Sequence, residues 1–166
     1  MEIKKAVPEN IDKIMEMVME NKKLMINEHN AQWDDKYPMK ESFEEDIKNG
    51  ELYKICEGED EMLGVICLNE VEAKEYINVN WSKKGPAIVV HRMCIAPNIQ
   101  KKGVGMKFIE FAEKLAKEKK HFYIKADTYD ENIKMNNFLL KCGFVKTGEV
   151  NLRKKPKHFN CYEKLL

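Results

Sequence analysis

A mixed α/β (α+β) architecture, with one mixed sheet and helices on its faces, is what the order of elements in this chain predicts. Three observations carry the expectation. Strand-like runs crowd the first half, a strand–helix–strand–helix succession fills the middle, and a strand pair closes the chain. With 166 residues and 43% apolar content the chain can fill one core and is short for two, so residues 1–166 are read as a single domain.

Residues 2–7 alternate well enough for an edge strand, and Pro8 then suits a first helical position. Ile11, Ile14, Met15 and Val18 recur at helical spacing, which predicts a helix over residues 8–27. The periodicity fails over residues 28–39, where His29, Trp33, Asp34, Asp35, Tyr37 and Pro38 indicate an ordered loop. A short helix over residues 41–48 is stopped by Asn49 and Gly50. Residues 52–57 and 62–69 read as two strands joined by a hairpin loop over residues 57–61. Residues 76–81 form a weaker segment before an apolar strand over residues 87–95. Further strands are expected over residues 121–127, 145–150 and 158–165. No repeat, low-complexity tract or linker interrupts this order.

Composition narrows the function classes. No stretch approaches the roughly 18 to 20 apolar residues of a membrane span, and the first five residues lead into no signal-peptide core, so a cytoplasmic location is expected. Five cysteines, 56, 67, 94, 142 and 161, are odd in number and contain no C-x-x-C pair. They are expected to be buried apolar residues, with neither disulfides nor a metal site. Net charge is +1, which with the absence of a binding motif argues against a nucleic-acid partner despite the basic run at Arg153, Lys154, Lys155 and Lys157. The charge is uneven: residues 1–83 hold 11 Lys and Arg against 20 Asp and Glu, residues 84–166 hold 18 against 8. A basic half suits a polyanionic ligand and an acidic half a cationic one, unless the two fields interleave in space.

The sharpest local pattern is the turn Gln100, Lys101, Lys102, Gly103, Val104, Gly105 between the apolar strand and a helix patterned by Val104, Phe108, Phe111, Ala112 and Leu115. Two glycines let the backbone approach an anion, and open N–H groups with the helix dipole favour negative charge there. A dinucleotide fingerprint is excluded because Phe108 stands three residues after Gly105. A P-loop is excluded because no Lys-Ser/Thr pair follows the turn.

What does fit is Gln/Arg-x-x-Gly-x-Gly/Ala after a strand that ends near a proline, here Pro97, and this resembles the acetyl-CoA-binding motif of the GNAT N-acetyltransferases. A second stretch is similar to that family's other motif: Asn132 near a helix start, then an apolar helix with Ile133, Met135, Phe138 and Leu139, then Gly143-Phe144. Asp130 or Glu131 suits the N-terminal turn of this helix. The resemblance implies a central, mixed, largely antiparallel twisted sheet of six to seven strands with helices on both faces. It also implies acetyl-CoA as cosubstrate, with an acetyl group passed to the primary amine of a small molecule, peptide or protein. No membrane partner is implied, and a homodimer is allowed.

Residue by residue, the resemblance lays the CoA pyrophosphate on the amides of Gln100, Lys101, Lys102, Gly103, Val104, Gly105 and Met106, with a further hydrogen bond from the Gln100 side chain. The pantetheine arm pairs like a strand with Met93, Cys94 and Ile95, and Asn132 meets that arm. One of the strand amides would also hold the oxyanion. His91 is the candidate base, since the alternation His91, Met93, Ile95 puts it on one face and arylalkylamine acetyltransferases of the same family carry a histidine at a similar position. The other reading of His91 is a packed strand histidine. Asp127 is a second candidate base, or a structural carboxylate. The family's usual general-acid tyrosine corresponds to Leu139, which cannot donate a proton. Tyr129 is the preferred substitute, with Tyr162 or water as alternatives, and a CoA-binding sensor or scaffold without turnover is the competing reading of the whole chain. Trp33 and Tyr37 are candidates to wall the acceptor site, or else cover the core edge. The acidic run Glu44, Glu45, Asp46 could attract a cation, or be a solvated helix face.

Overall fold

The computed structural model describes residues 1–59 and 61–166; Asp60, in the expected hairpin loop, lies outside the described residues. Seven strands form one sheet: β1 (Glu2–Lys5), β2 (Leu52–Glu57), β3 (Glu61–Asn69), β4 (Ile88–Ile95), β5 (Tyr123–Tyr129), β6 (Val145–Val150) and β7 (Phe159–Leu165). Their order is β1-β2-β3-β4-β5-β7-β6. Pairing is antiparallel for β1 with β2, β2 with β3, β5 with β7 and β6 with β7, and parallel for β4 with β5. Four α-helices complete the fold: α1 (Ile11–Asn27), α2 (Lys40–Lys48), α3 (Val104–Glu118) and α4 (Ile133–Lys141).

The chain divides into two compact units, Met1–Leu68 with His91–Phe111, and Asn69–Val90 with Ala112–Leu166. In the first, Ile14, Met17 and Val18 of α1 and Phe43 of α2 pack on Leu52, Val65, Cys67 and Cys94. The next residue of β2, Tyr53, stands edge-on to Phe111 of α3 at 4.9 Å. Side chains alternate across a strand, so helices pack on both faces of this part of the sheet. Gly64 of β3 is required by close approach: a Cβ there would lie 2.7 Å from the Cys94 carbonyl oxygen and 3.3 Å from Phe108. In the second unit, Tyr76, Val79, Val89, Tyr129, Val150, Phe159 and Cys161 make the core cluster.

Several expected boundaries move. Residues 76–81 are no strand; Lys74–Asn78 is a 3-10 turn whose Tyr76 is buried. The strand expected over 121–127 is shifted to Tyr123–Tyr129, so Tyr129 is a strand residue. On α4 the buried positions are Asn136 and Leu139, while Ile133 is 63% exposed. The helix rotates a polar residue inward because β7 offers partners for it, and the apolar stripe read from the sequence is displaced accordingly. All five cysteines are buried and unbridged. No helix among the described residues is long and apolar enough to cross a membrane.

Candidate active site

In the first unit, β4 runs out at Ile95, and Pro97–Ile99 makes a 3-10 turn closed by the Ile99 N–H on the Ala96 carbonyl at 2.9 Å. Two left-handed residues follow, Lys101 at φ 67° and Gly103 at φ 84°. They turn the chain into the N-terminus of α3, where the Lys107 N–H reaches the Gly103 carbonyl at 3.2 Å. A helix's first turn has no carbonyl of its own ahead of it to receive its N–H groups; on the approach to it the Gln100 N–H donates to the Pro97 carbonyl at 3.4 Å and the Lys102 N–H to the Ile99 carbonyl at 3.3 Å. Lys101, Lys102 and Gly103 are exposed, Val104 and Gly105 are buried, and Met106 is 38% exposed. A Cβ at Gly103 would touch nothing within 4 Å, so glycine is demanded there by backbone conformation alone. The helix dipole and two exposed ammonium groups favour negative charge at this turn.

Gln100 stands at the mouth of the turn, but its side chain is turned inward. Its Nε2 donates to Asn21 Oδ1 at 2.9 Å and to the Ile95 carbonyl at 3.3 Å. The expected side-chain bond from Gln100 to phosphate is therefore replaced by a bond to α1. Asn21, 7% exposed in mid-helix, also donates to the carbonyls of Met17 at 2.9 Å and Ile95 at 3.0 Å and approaches Cys94 Sγ at 3.3 Å. Asn21 was not among the residues expected at the site. Its signal was a polar residue on the apolar face marked by Ile14, Met17 and Val18.

The β4–β5 ladder covers Ile88↔Ile124, Val89↔Lys125 and Val90↔Ala126, and β4 then continues to Ile95. Arg92 sits in this continuation with φ 46°, a left-handed residue inside a strand. Met93 and Ile95 beyond it are half-buried and Cys94 between them is buried. Arg92 is held by a two-pronged pair with Asp46, Nε and Nη2 each 2.6 Å from a carboxylate oxygen. Its Nη1 donates to the Tyr37 hydroxyl at 3.0 Å. Asp46, read as part of a solvated acidic run, is 4% exposed. Asp46, Glu51 and Cys67 offer ligand atoms within 4.8 Å of one another. Arg92 occupies both Asp46 oxygens, which makes an ion-pair centre here, and burial and then the Asp46 charge push the Cys67 thiol up to about 12.

His91 is half-buried on β4. Trp33 is 7% exposed within the core cluster, and Tyr37 packs against that cluster from a half-buried position. The loop carrying both is tied to α1 by Lys22 Nζ on the Pro38 carbonyl at 3.0 Å.

In the second unit, Asn132 caps α4, its Oδ1 accepting the Met135 N–H at 3.1 Å. The cap is thus Asn132 and not Asp130 or Glu131, because the amide side chain reaches the third residue of the helix. Asn136, one turn on, donates to the carbonyls of Tyr129 at 3.0 Å and Asn132 at 2.9 Å and accepts from Asn160 Nδ2 at 2.9 Å and the Tyr162 hydroxyl at 2.6 Å. Tyr129 is buried, its hydroxyl accepting the Lys157 N–H at 3.1 Å and its ring 5.1 Å from Phe159. Leu139 is buried and apolar. Asp127 accepts from the Tyr76 hydroxyl at 2.5 Å; burial raises its pKa, with the Tyr76 bond and the Arg153 charge acting in the opposite direction. Lys125 pairs with Glu72 at 2.5 Å beneath the Trp81 ring, and Glu163 receives both Ser82 donors. Together these groups fasten the segment from Glu72 to Ser82.

A model described as the acetyltransferase (GNAT) family matches residues 18–144 of the chain. Among solved structures, a GNAT-family acetyltransferase from Streptococcus agalactiae 2603 superposes with a TM-score of 0.85 at 22% identity, over 99% of this chain and 95% of that one. A protein assigned as an acetyltransferase from Staphylococcus aureus MU50 gives 0.75 at 28% identity, over 98% and 97%. A protein from Bacillus anthracis str. Ames, assigned as a streptothricin acetyltransferase and solved with acetyl coenzyme A, gives 0.56 at 21% identity, over 69% and 61%. No curated protein matches the chain.

Proposed function

Because this chain belongs to the acetyltransferase (GNAT) family, we propose that it transfers the acetyl group of acetyl-CoA to the primary amine of a small molecule, peptide or protein in a ternary complex. The observation that carries the reading is the left-handed turn at Lys101 and Gly103 opening onto the N-terminus of α3, a geometry suited to a pyrophosphate. The amides at the start of α3 would cradle it, with the Lys101 and Lys102 side chains alongside; the Gln100 and Lys102 N–H groups, expected to join them, are given to the Pro97 and Ile99 carbonyls. Beyond the ladder that ends at Val90, the backbone of Met93, Cys94 and Ile95 would pair with the pantetheine arm. One of its N–H groups would hold the developing oxyanion.

In this reaction the amine nitrogen attacks the thioester carbonyl, the C–N bond forms and the C–S bond breaks. His91 takes the proton lost by the amine, and Tyr129 or water supplies the proton gained by the CoA thiolate. Asn132 meets the arm, Tyr37 faces the acceptor, and Trp33 supports the loop from the core. A cytoplasmic setting belongs to the same reading.

One observation favours a second reading. Leu139 leaves the usual acid position without a hydroxyl, which suits a CoA-binding sensor of the same fold with little or no turnover. Thermal melts and thiol release test both. Saturating acetyl-CoA should raise the melting temperature, and Gly103→Asp, which strains a φ of 84° and adds a negative charge, should abolish the shift. No shift in the unaltered protein sinks both readings. Thiol release over a panel of amines, lost in His91→Ala with CoA affinity kept, would reject the sensor.

A further inference from the structure

We propose that Asn21 is a positioning residue for the CoA cradle, acting through Gln100 and the Ile95 carbonyl; this rests on the reading of the α3 turn as the CoA site. Three separate parts of the first unit meet at one amide group. The Asn21 Nδ2 holds the last carbonyl of β4, at 3.0 Å, and its Oδ1 holds the first side chain of the turn, Gln100, at 2.9 Å. The Met17 carbonyl, 2.9 Å from the same nitrogen, fixes the rotamer from within α1.

The bonds span 74 and 79 residues of sequence, so they tie the β4 end and the turn to α1, which the local bonds of the 3-10 turn do not reach. Gln100 closes the triangle by donating to the same Ile95 carbonyl at 3.3 Å. Both lone pairs of that oxygen are then directed at side-chain amides, and the angle between the end of β4 and the start of the cradle is set by neutral groups. A ligand whose arm lies along β4 and whose pyrophosphate lies on the turn needs that angle fixed before it binds, since a cradle that must first be ordered costs affinity. Gln100 therefore serves the phosphate site without touching the phosphate. None of the three groups titrates between pH 5 and 9, so their contribution is the same across that range.

The test is a double-mutant cycle read by calorimetry with CoA as the probe, well below the melting temperature. Asn21→Ala and Gln100→Leu should each weaken CoA binding by about three- to tenfold, the worth of one or two neutral hydrogen bonds. The double variant should be no weaker than Asn21→Ala alone, because the two residues act as one unit. The loss should be equal at low and high pH. Additive losses would overturn the proposal, since Gln100 would then contact the ligand independently. So would an unchanged Kd in Asn21→Ala with only a lowered melting temperature, the mark of a purely structural amide. Where Asn21→Ala does not fold, Asn21→Ser takes its place, and Gln100→Leu at a half-exposed position must still show its loss. If Gly103→Asp abolishes CoA binding while both amide variants bind normally, this proposal fails and the CoA reading stands; if the unaltered protein binds no CoA, both fail.

Discussion

The two units secure the end of β4 and the start of α4 by different means. In the first, the end of β4 and the turn are held by bonds between distant parts of the chain: Asn21 to Gln100 across 79 residues and Arg92 to Asp46 across 46. In the second, the N-terminus of α4 is held by Asn136, whose partners lie 4 and 7 residues back in the chain and 24 and 26 residues ahead on β7. The first system includes a buried full charge beside a left-handed strand residue; the second is neutral at its centre. A strand that departs from its neighbour needs an anchor from elsewhere in the fold. A helix cap can be anchored by its own first turn.

Breaking the charged anchor should cost the most. Asp46→Ala leaves the Arg92 guanidinium, 15% exposed, without its carboxylate, and urea unfolding should show a loss of about 3–5 kcal/mol. A loss no greater than that of an exposed pair would remove the distinction between the two units. Asn136→Ala should cost less, about 2–3 kcal/mol in the same measurement, because it strands the Tyr162 hydroxyl and leaves the Asn160 amide only its bond to Asp130, with no charge unpaired. If it proves the costlier of the two, neutral anchoring is the stronger device in this fold.

The smallest effect is expected at Asp127, and it has a pH signature. Burial raises its native pKa above the ordinary value of 3.8, so the folded state keeps this proton to higher pH than the unfolded state does. Stability contributed by the neutral acid is then complete below 3.8 and is lost as pH rises through the raised native value. Asp127→Asn keeps an acceptor for Tyr76 and removes the titration. Melts from about pH 4 to about pH 8 should therefore show the variant gaining on the parent as pH rises, by at most a few degrees. A gap that widens in the parent's favour reverses the sign and refutes the buried-acid account.

Much of the fold was legible because its signals are local. The helix stop at Asn49 and Gly50, the strands Leu52–Glu57 and Val145–Val150 and the turn before α3 each rest on residues within a few positions of one another. Of the candidate site, the turn and Asn132 could be read in the same way. Asn21, Gly64 and the Arg92–Asp46 pair could not. A polar residue on an apolar helix face shows only that it has a partner, and the left-handed Arg92 looks like any strand residue until its carboxylate is in place.

Element order, the glycine turn and the family motifs were determined by the sequence itself, because periodicity and the allowed conformations of glycine and proline act over one or two turns of chain. The direction in which Gln100 points, the left-handed conformation of Arg92 within β4 and the inward rotation of Asn136 were decided by the tertiary structure. Each involves a polar group at least partly withdrawn from water that must find its partner, and the partner comes from another element.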